Sequence, residues 1–317
     1  MEYNKAVADM LPGMEIEGYY VLSSASVKLT SAGKPYMNAV IGDASGNIEA
    51  KLWDYSGSIR PEDNGAIVKI RASVGEFKGA SQLTIKQFRF ADERDENNYA
   101  LSDLVPSAPI DPDGVLSEIR ELIVSMDDPD YRRVASAMLE KHMDSFMTMP
   151  AAKSFHHSFL SGLLMHTGSM LRAADFLACQ YSEVIDRSLL LCGALCHDLA
   201  KDKEFVLSRL GLVTDYSVKG DLLGHPVMGA MEIAQMAAEL DTPEEKAMLL
   251  QHMILSHHGQ PEYGAAVMPQ CAEAELLSII DLMDARMELY AETLANVPAG
   301  SFSSKVFALD KKIYKHN

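Results

Sequence analysis

The chain lacks any apolar run approaching the roughly 18 residues a membrane helix needs. Its first residues, Met-Glu-Tyr-Asn-Lys, lack the basic start and apolar stretch of a signal peptide. A cytoplasmic protein is therefore the expectation. Cysteine is scarce: Cys179, Cys192, Cys196 and Cys271 are the four, and none forms a CxxC pair. That gives no support to a disulfide framework or a thiolate zinc site. Cys192 and Cys196 are four apart and read as small apolar residues on one helix face. Basic residues are also in deficit, 28 against 45 acidic, for a net charge of -17. This balance argues against coating duplex nucleic acid by bulk attraction. The deficit is uneven, because residues 13–92 hold nine basic and nine acidic residues, so the acidic excess lies elsewhere. There is no P-loop lysine pattern, no G-x-S-x-G nucleophile elbow and no H-E-x-x-H pair. There are no internal repeats and no low-complexity segment.

What remains is an ordinary globular composition, 48% hydrophobic and 23% charged over 317 residues, enough for about two domains. The 19 methionines read as flexible core filling. Residues 13–92 read as five short strands: Gly18-Tyr-Tyr-Val-Leu, Pro35-Tyr-Met-Asn-Ala-Val-Ile, Asn47-Ile-Glu-Ala-Lys-Leu-Trp, Ala66-Ile-Val-Lys-Ile-Arg-Ala and Gln82-Leu-Thr-Ile-Lys-Gln-Phe. Turn signals separate them. Five strands in about eighty residues suit a small closed barrel, with Ile48, Ala50 and Leu52 inward and Glu49, Lys51 and Trp53 on the other face. The run from Gly33-Lys-Pro-Tyr to Gly42-Asp-Ala-Ser-Gly-Asn-Ile-Glu-Ala-Lys-Leu-Trp-Asp resembles the second and third strands of the nucleic-acid-binding OB-fold. Such barrels stack bases on aromatic side chains in a basic groove. Tyr36, Trp53, Phe77, Phe88, Lys34, Lys51, Lys78 and Lys86 are the candidates. Each also reads as a core aromatic or a solvated lysine.

Residues 93–113 are polar and then proline-rich (Val105-Pro-Ser-Ala-Pro-Ile-Asp-Pro), which suits a semi-rigid linker. From 114 to 317 the pattern is helical, with apolar residues at helical spacing over 116–124, 131–147, 162–179, 187–199, 225–240, 243–258 and 273–296. The fold class expected is an all-β barrel followed by an all-α domain.

The helical half carries a series of metal-ligand residue types, each in or beside an apolar stretch: His166, His197-Asp198, His225, His257-His258 and Asp281. Imidazole and carboxylate together suit manganese, iron, cobalt, nickel or zinc. Asp198 has two oxygens and can bridge. His225, His257 and His258 are what a second ion needs, though they equally suit orienting or phosphate-binding roles. Neighbouring histidines on a helix diverge by about 100°. His257 and His258 therefore meet at one ion only where the helix ends, and Gly259 and Pro261 supply an ending. A divalent ion also supplies local positive charge for an anionic substrate in this acidic chain. Lys201, one turn after Asp198, can stabilise a pentavalent phosphorane, or can be a solvated helix-end lysine. Asp284 can orient a ligand, or pair with Arg286. His142, His252 and His316 read as structural or surface residues, and Asp202, Lys203 and Glu204 as a solvated turn.

The blocks His156-His-Ser-Phe-Leu-Ser-Gly-Leu-Leu-Met-His-Thr, Leu191-Cys-Gly-Ala-Leu-Cys-His-Asp-Leu-Ala-Lys, Gly220-Asp-Leu-Leu-Gly-His-Pro, Ile254-Leu-Ser-His-His-Gly and Ile280-Asp-Leu-Met-Asp-Ala-Arg resemble the HD-domain metal-dependent phosphohydrolases. More closely, they resemble the YhaM-type 3′-to-5′ exoribonuclease family, which joins an N-terminal OB-fold to a C-terminal HD domain. The resemblance runs from about residue 13 to the Tyr314-Lys end. It implies that His166, His197, Asp198 and Asp281 hold a first ion. It also implies that His157 is a structural or phosphate-binding residue. One or two ions, manganese first among the candidates, would activate water on the terminal phosphodiester of single-stranded RNA. Single-stranded DNA is a further candidate substrate, and nucleoside 5′-monophosphates the products. The same series also resembles cyclic-di-GMP phosphodiesterases, so a cyclic dinucleotide or nucleotide phosphohydrolase is a rival reading. Against it, the Gly-Tyr-Pro block of that group is absent, Lys201 being followed by Asp-Lys-Glu. A second rival is a non-catalytic single-strand-binding protein, which would be expected to have lost a ligand. The acidic helical surface leaves room for a homo-oligomer.

Overall fold

The computed structural model describes residues 1–317 except 61–62, 78, 153–158, 209 and 296. The chain divides into two compact units, residues 1–107 with 207–211, and residues 108–206 with 212–317.

Alternating apolar residues build the first unit. Its strands are β1 (Glu2–Tyr3), β2 (Glu15–Leu29), β3 (Pro35–Asp43), β4 (Gly46–Trp53), β5 (Ile67–Phe77) and β6 (Ala80–Phe90). They run in the order β1-β2-β3-β4-β6-β5, and β2 also pairs with β5. The sheet thus closes on itself as the OB-fold barrel. Closure needs one strand to serve two neighbours. β2 does so because its register shifts between Leu22 and Ser24, so its first half pairs with β5 and its second with β3. Every second side chain points inward: Met37, Ala39 and Ile41 on β3, Ile48 and Ala50 on β4, and Val68, Ile70, Ala72 and Val74 on β5. Full burial of each larger side chain contributes about 1.5–3 kcal/mol. At the β2–β3 turn Gly33 takes φ +76°, a region open to glycine, and its N–H donates to the Thr30 carbonyl.

The expected linker is largely part of this unit. A 3₁₀ turn at Glu93–Asn98 and the short α1 (Leu101–Leu104) follow β6. Asp95 accepts two 2.6 Å hydrogen bonds from Arg89 and one of 2.7 Å from the Tyr19 hydroxyl. These bonds, Arg89 foremost, hold its carboxyl well below the usual range. A composition that looks like a solvated linker hides one fully partnered carboxylate.

The second unit contains α2 (Pro112–Val124), α3 (Pro129–Thr148), α4 (Gly162–Gln180), α5 (Arg187–Cys196), α6 (Lys201–Glu204), the short strands β7 (Phe205–Leu207) and β8 (Val213–Tyr216), α7 (Val218–Glu239), α8 (Glu244–Ser256), α9 (Ala272–Ala295), and a closing ribbon of β9 (Ser301–Val306) and β10 (Lys311–Lys315). One apolar core joins α2, α3, α4, α5, α8 and α9. Cys192 and Cys196 lie in it on α5, and all four cysteines are free thiols. The ribbon departs from the helical expectation. Ser303 and Ile313 point inward while Phe302 and Tyr314 stay exposed, a period-2 pattern that a helix cannot present. Among the described residues no helix is long and apolar enough to cross a membrane.

Candidate metal centre

Five helices deliver the polar cluster. In α5, nine of ten residues are buried, so the two side chains that follow, His197 and Asp198, arrive 0% and 3% exposed. His166 comes from the start of α4, and Asp281 and Asp284 from the middle of α9. α7 is broken at Gly224 (φ 71°, ψ 156°), which frees the His225 backbone N–H from helical bonding. α8 stops at Ser256, and Gly259 turns the chain away with φ +76°. That stop resolves the angular conflict between His257 and His258, whose rings lie 4.1 Å apart.

Asp198 sits between two histidine groups. Its Oδ2 is 3.2 Å from His197 Nε2 and 3.7 Å from His166 Nε2. Its Oδ1 is 3.2 Å from His225 Nε2 and 3.8 Å from His257 Nε2. Asp281 Oδ1 lies 3.3 Å from His166 Nε2. Ligand atoms of His166, His197 and Asp198 fall within 4.8 Å of one another, as do those of His225, His257 and His258.

The protons decide what this cluster suits. His197 Nδ1 donates to the Ala194 carbonyl (2.9 Å) and His257 Nδ1 to the Ile254 carbonyl (2.7 Å). His225 Nδ1 donates to Glu204 (2.9 Å) and His166 Nδ1 to Asp284 (2.7 Å). Each ring therefore turns Nε2 inward, and in the neutral tautomer that atom carries a lone pair. The Nε2 atoms of His166 and His197 are 3.2 Å apart, and those of His225 and His257 are 3.4 Å apart. Between two neutral rings so oriented the lone pairs would face each other, and only a proton or a metal ion placed between them relieves the contact. Asp198 Oδ1 and His258 Nδ1 are buried with no hydrogen-bond partner among the described residues. Each such atom costs about 1–3 kcal/mol if left unmet. Divalent ions among these atoms would satisfy them all, and anchoring of the far ring nitrogen is how metal-binding imidazoles are held. The residues fit the ion that the sequence calls for.

Electrostatics follow the same lines. Burial disfavours the Asp198 carboxylate, but the charges of His197 and Lys201 prevail and hold its pKa well below the usual range. Burial, then the neighbouring histidines, push His257 well down and His258 to about 4. Burial also works against charged His166, yet hydrogen bonds to Asp281 and Asp284 win and raise it to about 9. Without an ion His166 shares a second proton with Asp281.

Lys201 donates to Asp198 Oδ2 at 2.6 Å and lines a cavity of about 690 Å³ with His166, Asp198, His225, His257 and His258. Asp284 meets His166 at Nδ1, the ring nitrogen turned away from Asp198 and Asp281. His157 lies outside the described residues. His252 Nε2 accepts the Gln270 N–H (2.9 Å), and His316 is exposed.

The solvated turn expected at Asp202, Lys203 and Glu204 is corrected. Glu204 is 7% exposed. It accepts both the His225 backbone N–H (3.0 Å) and Nδ1–H (2.9 Å). Asp202 accepts from buried His142 (2.7 Å), whose other nitrogen meets Glu232 (2.7 Å), and Lys203 pairs with Glu232. A four-residue stretch with only polar side chains gives no periodicity to reveal these partners.

On the barrel, Tyr36 and Trp53 are cross-strand partners with ring centroids 5.0 Å apart. Lys51 Nζ lies 5.6 Å from the Trp53 ring and 4.9 Å from the Phe77 ring. Trp53 and Phe77 are 47% and 50% exposed. Four of the predicted contacts are thus brought together. Lys34 is exposed and 3.7 Å from Asp54. Lys86 instead meets Glu15 at 2.6 Å. Phe88 packs partly on the barrel core, and Lys78 lies outside the described residues.

Comparison with known proteins places this geometry. The HD domain family matches residues 163–286. The 3′-5′ exoribonuclease YhaM of Shouchella clausii is 38% identical over 307 residues, 95% of this chain and 93% of that protein. The protein of the same name from Halalkalibacterium halodurans is 39% identical over 311 residues, 96% and 94% of the two chains. The chain belongs to the YhaM family of 3′-5′ exoribonucleases. As in these YhaM proteins, the shared sequence spans both compact units, and the HD match runs from before His166 to beyond Asp284. The second OB-fold domain of replication protein A from Methanococcus maripaludis is similar to 29% of the chain at 11% identity with a TM-score of 0.24, over 97% of that domain.

Proposed function

We propose that the protein is a metal-dependent 3′-5′ exonuclease that degrades single-stranded RNA, and also single-stranded DNA, to nucleoside 5′-monophosphates in the cytoplasm. The observation that carries the proposal is the set of four imidazoles that each anchor Nδ1 and aim Nε2 at one buried carboxylate, Asp198. Family membership supports the polarity and the substrate, since the relatives are named for that activity.

His166, His197, Asp198 and Asp281 would hold one ion. His225, His257 and His258, with the other Asp198 oxygen, would hold a second, with manganese the preferred metal. When bound, such ions lower the pKa of water and polarise a phosphoryl oxygen. The chain's own groups do the rest. Asp284 and Glu204 keep His166 and His225 in register. Lys201 presents an ammonium at the cavity, where it offsets negative charge developing on the phosphate. The cavity's apolar rim, with Tyr263, Met268 and Leu282, offers a surface for the terminal base. On the barrel, Tyr36, Lys51, Trp53 and Phe77 form a stacking platform of the kind that holds single strands without reading sequence.

The test is incubation with Mn²⁺ and a 5′-labelled single-stranded RNA, beside Asp198→Ala. A ladder shortening from the 3′ end, dependent on metal and abolished in the variant, is expected. Intact RNA that stays bound points to a binding protein. Intact, unbound RNA points to cyclic dinucleotides or free nucleotides.

A further inference from the structure

The β9–β10 ribbon is chemically unlike the rest of the chain. Residues 301–317 hold four of the 28 basic residues and one of the 45 acidic ones. Three aromatic side chains on it stand in solvent: Phe302 at 65%, Tyr314 at 48% and Phe307 at 91% exposure. Phe302 and Tyr314 face each other across the two strands, ring centroids 5.0 Å apart. Lys305 and Lys312 are also directly opposed. Like charges so placed destabilise a ribbon unless an anion relieves them. Asp310 pairs with Lys305, and Lys312 has no carboxylate within reach among the described residues. Lys311 lies over the Tyr290 ring (5.5 Å) and Lys315 donates to the Leu294 carbonyl (2.7 Å), which fixes the ribbon on α9.

Exposed aromatics alone would also suit contact with a second copy of the chain. Lysine, however, is depleted from protein–protein interfaces, whereas lysines interleaved with aromatics are what a single nucleic-acid strand uses: phosphates meet the ammoniums and bases stack on the rings. We propose that this ribbon is a second strand-binding surface, taking single-stranded RNA on Phe302, Phe307 and Tyr314 between Lys305, Lys311 and Lys312. The proposal rests on the exonuclease reading of the metal centre. Tyr290 and Leu294 lie on α9 nine and thirteen residues beyond Asp281, or about 14–20 Å along the helix. At about 3.4 Å per stacked nucleotide, that separation is about four to six nucleotides. The ribbon would therefore engage long strands and be out of reach of the shortest.

The experiment uses the full chain carrying Asp198→Asn, so that the strand survives. Fluorescence anisotropy with labelled oligouridylates of four and twelve nucleotides compares it with the same chain bearing Lys305→Gln, Phe307→Ala and Lys312→Gln in addition, which leaves the Lys311 and Lys315 contacts to α9 in place. These side chains are exposed, so the ribbon's inward face is left intact. The twelve-nucleotide strand is expected to bind at least about fivefold more weakly, the lower limit for one lost stack. Its logarithmic salt slope should flatten by about 1.4 for two lysines, while the four-nucleotide strand binds as before. Unchanged affinity and slope for the long strand overturn the proposal alone, as does equal weakening of both strands. Unaltered RNA binding with altered sedimentation assigns the ribbon to a second copy instead. If the chain without the ribbon changes retains neither strand, the single-strand reading fails and the proposal with it.

Discussion

Glu204 accepts two hydrogen bonds from one residue, the His225 N–H and Nδ1–H, at 3.0 and 2.9 Å. Burial works against its charge, but His225 prevails and holds its pKa below the ordinary glutamate value. Glu204→Gln keeps the shape and removes the anion, and one amide oxygen cannot serve both donors. The expected result is a 10- to 100-fold loss of Mn²⁺ affinity at the His225 group, as for partners behind other metal-binding imidazoles, with affinity at the His166 group unchanged. Calorimetric titration reads both. His166 gives a pH prediction. Its pKa is raised to about 9, so at neutral pH it carries the proton that an ion must displace. Metal affinity should therefore rise with pH and level off above about 9, and uptake at pH 7 should release about one proton. Calorimetry in two buffers of different ionisation enthalpy measures this, and no release would show that His166 is not a ligand. The ligand series was legible because each member interrupts an apolar run. Glu204 was not, because its partner lies 21 residues away and the three residues before it are all charged.

At the scale of elements, α6 is only four residues long, and each of its side chains has a partner elsewhere in the helical unit. Four residues cannot form a stable helix alone, yet Lys201 reaches Asp198, Asp202 reaches His142, Lys203 reaches Glu232 and Glu204 reaches His225. His142, 3% exposed on α3, joins α6 to α7 by bridging Asp202 and Glu232. Removing one member of such a buried network typically costs about 3–5 kcal/mol. His142→Ala should therefore lower the melting temperature and, by loosening Lys201 and Glu204, also lower kcat more than it raises KM. A drop in stability with kcat untouched would separate α6 from the chemistry. Gly220 makes a second test. A Cβ there would lie 2.4 Å from the Glu204 carbonyl oxygen, so Gly220→Ala must push α6 and α7 apart and should be among the more damaging single-methyl additions. The strands and long helices were readable from their periods. The break in α7 was not: a helix was expected to begin at His225, whereas α7 begins at Val218 and bends at Gly224, a distortion that the helical apolar pattern on either side conceals.

Across the whole molecule, the two units have separate cores, one lined by the barrel strands and one by the helices. A small barrel followed by a helical domain was legible from the order of strand-like and helix-like patterns, whereas OB-fold and HD architecture were anticipated only from the resemblance of particular motif blocks to those families. The closing ribbon was not, since fifteen residues of mixed polarity carry too few inward positions to declare a period. Separate cores permit separate unfolding transitions. The candidate ligands come from α4, α5, α7, α8 and α9 or the residues just beyond them, so they converge only when the helical unit is folded, and an ion held there binds the folded form alone. At a free metal concentration a hundred times the dissociation constant, that linkage contributes about 2.7 kcal/mol. For a unit of about 200 residues this is a shift of roughly 5–10 °C. Chelation should therefore lower the melting temperature of the helical unit by that amount and leave the barrel transition in place, and Asp198→Ala should reproduce the lower value and abolish its response to Mn²⁺. If both transitions move together on chelation, the units unfold as one. If neither moves, the histidine cluster does not hold an ion, and the catalytic proposal loses its foundation.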